Sequence, residues 1–130
     1  MTRKLNRIMV VDDEILICDL LEEFLTVQGY QVTTASGGED AILKFKTLRP
    51  QMVLLDIRMP GMDGIDVLQS IKSMDRSTGV IMLSAFGDVE TIQKAMQGGA
   101  YQYIQKPVEF GVLLQTLQEW QELVEPKLSD

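Results

Sequence analysis

Short apolar runs alternate with longer amphipathic stretches along the whole chain. Ile8–Val11, Gln31–Ala35, Met52–Asp56, Val80–Ser84 and Tyr101–Ile104 read as strands, short segments closed off by turn-forming residues. Between them the apolar period lengthens to that of a helix. Ile17, Leu20, Leu21 and Phe24 recur at i, i+3, i+4 and i+7, and Gly29 stands where a C-cap is expected. Ala41, Leu43, Phe45 and Leu48 outline a second helix. Ile65, Leu68 and Ile71 outline a third, with Asp63 at its N-cap. Val89, Ile92 and Met96 mark a fourth that ends at Gly98-Gly99. Phe110, Leu113, Leu114, Leu117 and Trp120 mark a fifth, which Pro126 stops.

Strand and helix alternating in this way predict an α/β fold: five β-α units forming a doubly wound, parallel, five-stranded sheet. The runs at 8–11, 52–56 and 80–84 are apolar on both faces and belong in its centre. No repeat, low-complexity tract or internal linker interrupts the pattern. Residues 1–124 therefore read as one domain, and 125–130 as a polar tail or the start of a linker.

Composition changes the picture mainly by exclusion. A net charge of −7 argues against direct binding to a nucleic acid backbone, and the basic residues Arg3, Lys4 and Arg7 read as a solvated arm. The lone Cys18 has no disulfide partner, which suits a reducing cytoplasm. The first apolar run meets Asp12 and Asp13 after four residues, too early for a signal peptide, and nothing approaches a membrane span. A cytoplasmic protein is expected. The chain has no histidine, so any chemistry must run on carboxylates, hydroxyls and lysines. The methionines are expected to fill the core.

In open α/β sheets the functional crevice lies at the carboxyl ends of the strands. There the first strand gives way to Asp12 and Asp13, the third ends in Asp56, the fourth ends in Ser84, and the fifth leads to Lys106-Pro107. In the strand order 2-1-3-4-5 these groups share one rim. Carboxylates so crowded repel one another unless a cation sits among them. Mg²⁺ (or Mn²⁺) suits such a set, since it is a hard ion that takes one or two carboxylates and completes its shell with water and phosphoryl oxygen. Singly, each residue is equally well a loop acid, a strand-end hydroxyl or a solvated cation. Together they have the parts of a phosphoryl-transfer centre.

The stretches "VVDDE", "LLDIRMPGMDG", "LSA" and "YQYIQKP" resemble the motifs of the receiver domain of two-component response regulators, over essentially the whole chain. The resemblance implies that Asp56 accepts the phosphoryl group and that Asp13 binds the metal directly. Asp12 would hold the ion through water, and Arg58 would lend its backbone carbonyl. It further implies that Ser84 and Tyr103 form the switch, that Lys106 binds phosphate and that the bond before Pro107 is cis. Arg58 and Phe86, each two residues past a functional one, would overhang the phosphoryl group and control access of water. The implied partners are a sensor histidine kinase or phosphotransfer protein and a downstream effector or output domain. The face made by the fourth helix, fifth strand and fifth helix would change shape on phosphorylation, with self-association as a further possibility. The chain would act as a switch, with no catalysis beyond its own phosphorylation and dephosphorylation.

Rival readings fit less well. A phosphatase of the haloacid dehalogenase type resembles this pattern but needs a second Asp where Arg58 stands. A flavodoxin needs hydroxyls and amides in its first loop, where this chain has Asp12-Asp13-Glu14. A receiver fold that no longer takes phosphate is expected to lack part of the Asp12, Asp13, Asp56 and Lys106 set.

Overall fold

The computed structural model describes residues 4–85 and 87–124, so Phe86, Pro126 and the tail at 125–130 lie outside the described residues. Strands and helices alternate as β1 (Arg7–Val11), α1 (Ile15–Val27), β2 (Gln31–Ala35), α2 (Gly38–Leu48), β3 (Met52–Asp56), α3 (Gly64–Met74), β4 (Gly79–Ser84), α4 (Val89–Gln97), β5 (Gln102–Gln105) and α5 (Phe110–Val124). Every pairing is parallel and the order is β2-β1-β3-β4-β5. The α/β class and strand order expected from the sequence are those observed.

The central strands explain the architecture. Successive side chains of a strand point to opposite faces, so a strand covered on both sides must be apolar throughout. In β1, Ile8 and Val10 join one core cluster with Cys18, Leu21 and Leu25 of α1 and Leu113 and Leu117 of α5. Met9 and Val11 join the other, with Phe45 of α2, Val67, Leu68 and Ile71 of α3, and Ala95 of α4. Strands β3 and β4 are buried along their whole length. Full burial of each such aliphatic side chain contributes about 1.5–3 kcal/mol, and a polar replacement forfeits it. Phe24 of α1 stacks on Phe110 of α5 at 4.2 Å between ring centroids, tying those two helices together.

Helix ends follow local chemistry. Asp63 caps α3 by accepting the Asp66 N–H at 3.1 Å. Gly29, just past the end of α1, has φ +102°, a conformation that few residues other than glycine adopt.

Several apolar residues that outline a helix are exposed, Met96 among them, and one strand is shifted. In α1 the buried face is Cys18, Leu21 and Leu25, while Leu20 is exposed. Leu43 and Leu48 of α2 are likewise exposed, and so are Val89 and Met96 of α4, where only Ala95 is buried. The fifth strand starts one residue later than expected and buries only Ile104. It is an edge strand, with a single neighbour to cover it.

Candidate functional site

The site lies at the carboxyl rim, where the ends of β1, β3 and β4 converge. Asp56 ends β3 at 5% exposure, Asp12 follows β1 fully buried, and Ser84 ends β4 at 1% exposure. Backbone bonds fix these ends: Asp12 N–H donates to Ala35 O at 3.1 Å, and Lys106 N–H to Ser84 O at 2.7 Å. The loop after β3 is equally constrained. Gly64 N–H donates to Ile57 O at 2.9 Å, and a Cβ on Gly64 would stand 2.4 Å from Asp56 O. Only glycine fits there.

Among the described residues, Asp12, Asp13 and Asp56 each offer a carboxylate oxygen, all within 4.8 Å of one another. Lys106 enters from the loop after β5, its Nζ 3.0 Å from Asp12 Oδ2, 3.4 Å from Asp56 Oδ1 and 3.6 Å from Glu14 Oε1. Asp12 is fully buried, and its Oδ2 faces the Lys106 ammonium. Three clustered carboxylates, two of them buried, set against a single ammonium fit a hard divalent cation.

The electrostatics agree. Burial, and then the charge of Asp12, push the Asp56 carboxyl up from 3.8 to about 6, while Lys106 and the Arg58 N–H, 3.2 Å from Oδ1, pull it back. For Lys106, burial works to lower the ammonium's pKa, but Asp12 and Asp56 outweigh it and the net shift is upward. The pocket is short of positive charge by itself. Ser84 Oγ is buried and unpartnered among the described residues, a hydroxyl free to donate to an added acceptor.

The structure thus brings together Asp12, Asp13, Asp56, Lys106 and Ser84. It sets Tyr103 apart, 43% exposed on β5. The Lys106–Pro107 peptide is cis. Arg58 is turned to one side: its Nη2 and Nε lie 2.6 and 2.8 Å from Asp88 Oδ1, and Asp88 Oδ2 accepts the Ala85 N–H at 3.1 Å. Sequence reasoning missed Asp88. Its place just before the fourth helix suggests an N-cap, yet it makes no cap bond and instead joins the loop after Asp56 to the loop after Ser84.

Fold and rim define the class: a doubly wound α/β protein that gathers three carboxylates and a lysine at the carboxyl rim of its sheet. Residues 8–118 match the response regulator receiver domain, and the chain belongs to that family. Regulatory protein AtoC of Escherichia coli is 38% identical over 109 residues, covering 84% of this chain and 24% of AtoC. The chain thus spans about a quarter of that relative. Sporulation initiation phosphotransferase F of Bacillus subtilis is 38% identical over 104 residues, covering 80% of this chain and 84% of that protein. The solved receiver domain of NtrX from Brucella abortus superposes with a TM-score of 0.84 at 34% identity, covering 88% of this chain and 98% of that one. Receiver domains are signalling modules of two-component systems that pair with kinases and output domains, and the family binds Mg²⁺ through acidic residues. Among the described residues no helix is long and apolar enough to cross a membrane.

Proposed function

We propose that the chain is a phosphorylation-dependent switch that accepts a phosphoryl group on Asp56 from a phosphohistidine donor, a sensor kinase or phosphotransfer protein. One observation carries this reading: the Asp56 carboxylate lies within 3.4 Å of Lys106 and inside the Asp12–Asp13–Asp56 group. Asp12 and Asp13, with Asp56 and the Arg58 carbonyl, would hold Mg²⁺ (or Mn²⁺), which supplies charge neutralisation for the incoming phosphoryl oxygens. Asp56 is the nucleophile, and the N–H of Arg58 and the bonds around Gly64 hold it in line. Lys106 shifts from the carboxylates to a phosphoryl oxygen, and the Ser84 hydroxyl donates to another.

Output follows from that last contact. Once Ser84 turns toward the phosphoryl group, Tyr103 moves inward, and the surface of α4, β5 and α5 is remodelled to engage an effector, an output domain or a second copy. Exposed Val89, Met96 and Tyr103 on α4 and β5 support this, because an apolar surface of this kind suits a protein partner. Residues 1–124 form the switch, which works in the cytoplasm without contacting nucleic acid or membrane directly. Arg58 tunes access to the phosphoryl group from its tether on Asp88; Phe86, the second access residue, lies outside the described residues.

The test is intact-mass measurement after incubation with acetyl phosphate. One phosphoryl adduct is expected with Mg²⁺ and none in EDTA, and Asp56→Asn should lose it altogether. A modified Asp56→Asn protein would overturn the assignment.

A further inference from the structure

The amino end of the sheet carries a feature that signalling at Asp56 leaves unused. A cleft of about 970 Å³ opens there between the start of β1, the end of α2, the α3–β4 connection and α5. Ligand sites of small organic molecules commonly span about 300–1,000 Å³. Charge is the first observation. Arg7, Arg49, Lys72 and Arg76 line the cleft against one carboxylate, Asp75. These are four of the twelve Lys and Arg in a chain of net charge −7. None of them has a carboxylate within ion-pair distance among the described residues. Asp75 accepts the N–H and hydroxyl of Ser77, at 2.9 and 2.6 Å, and the charges of Arg49 and Lys72 reach it at longer range.

Three of the four cations are held in place by carbonyls. Arg7 Nη2 donates to Arg49 O at 3.1 Å, and Arg49 Nη1 to Met74 O at 3.3 Å. Lys72 Nζ donates to Thr78 O at 2.6 Å and Arg76 O at 3.1 Å, and burial lowers its pKa. A guanidinium has five N–H donors; Arg7 and Arg49 each use one here, so most of this donor capacity remains open. The second observation is Thr78, which also lines the cleft. It is 2% exposed, and its hydroxyl has no partner among the described residues. A native structure rarely leaves such a group unpaired unless water or a ligand completes it. The third is the wall. Tyr101 and Trp120 line it, and the indole sits where a Cβ on Gly79 would meet it at 2.6 Å, so the ring is fixed against the strand.

We propose that this cleft binds a small phosphorylated molecule carrying a flat ring, a nucleoside phosphate by chemical class, at the end of the sheet opposite Asp56. The phosphate meets the guanidinium donors of Arg49 and Arg76, which match its oxygens in pairs. The ring lies along the half-buried Tyr101, beside the small part of Trp120 that is left exposed at 8%. The site is independent of the acidic rim.

Trp120 is the only tryptophan and lines the cleft, so its emission reports occupancy. AMP, adenosine and inorganic phosphate are titrated separately into the full chain in EDTA, with calorimetry beside fluorescence. The chelator removes any role for a cation at the acidic rim. Saturable AMP binding is expected, with adenosine and phosphate each at least about tenfold weaker. Arg49→Gln and Arg76→Gln, both at exposed side chains, should each weaken AMP by about tenfold, whereas Asp56→Asn should leave it unchanged. The proposal is overturned by any of three results: no saturable signal at about 5 mM AMP, full affinity in both arginine variants, or loss of binding in Asp56→Asn. Phosphate binding as tightly as AMP would mean an adventitious ion only, and would equally overturn it.

Discussion

The two ends of the sheet hold their charges in opposite ways. At the carboxyl end, opposite charges already touch: Lys106 lies within 4 Å of three different carboxylates. At the amino end, four cations stand around a cleft, and three of them, Arg7, Arg49 and Lys72, bond to backbone carbonyls. At the acidic end burial, and then the like charge of Asp12, push the Asp56 carboxyl upward. The basic end is spread over exposed side chains and keeps its donors available. A site that performs chemistry must be preorganised around charges that oppose one another, because the ligand's arrival then relieves a cost already present. A site that only binds has no such need.

Changes at the two ends should therefore differ in kind. The largest effect is expected from Gly64→Ala, which drives a methyl group into the backbone of Asp56 and Ile57. A loss of about 3 kcal/mol is predicted, read as a lower urea midpoint, and phosphorylation should fall with it. Next is Lys106→Met, which keeps the bulk of the side chain but removes the cation from the acidic rim. Uptake of phosphoryl from acetyl phosphate should slow by about a hundredfold, roughly 2.7 kcal/mol of barrier. Arg49→Gln at the other end should leave that rate untouched. Equal slowing in both would erase the distinction between the ends.

Asp56→Asn should be smaller and of opposite sign. Because the folded-state pKa is raised from 3.8 to about 6, the folded protein binds more protons than the unfolded chain between those values. Stability from this group therefore falls as pH rises through the window. The cost is absent below the lower value and complete above the upper one. In EDTA at pH 7, Asn should stabilise the protein by about 1–2 kcal/mol, and the gain should vanish near pH 3.5. Urea titrations at both pH values check this; an unchanged gain would show that ionisation is not its source. The smallest effect is expected from Asp88→Asn. Arg58 is exposed, so the pair contributes less than about 1 kcal/mol to stability. The rate of dephosphorylation should change nonetheless, because Arg58 is released from its tether.

Much of this was legible in the sequence, for reasons specific to particular residues. β1, β3 and β4 could be read because burial on both faces leaves them no polar alternation, and their ends then named Asp12, Asp56 and Ser84. Helix faces were less legible. The apolar spacing that marked α1 and α4 included Leu20, Val89 and Met96, which are exposed, because spacing does not distinguish a face turned to the sheet from one left outside. Asp88 escaped because its partner, Arg58, is thirty residues away on a different loop. The amino-end cleft escaped for the same reason in stronger form, since five separate segments supply its cations and aromatic wall.

The alternation of β1 carries a consequence for quality control in the cell. Its residues are divided between two cores by parity alone, and Asp12 follows directly on that count. A slip of one residue against β3 would turn each core side chain to the wrong face and carry Asp12 out of the acidic rim at the same time. Misfolded molecules that still signal are thereby made scarce. The same count that decides whether a copy survives proteolysis also decides whether it can receive a message.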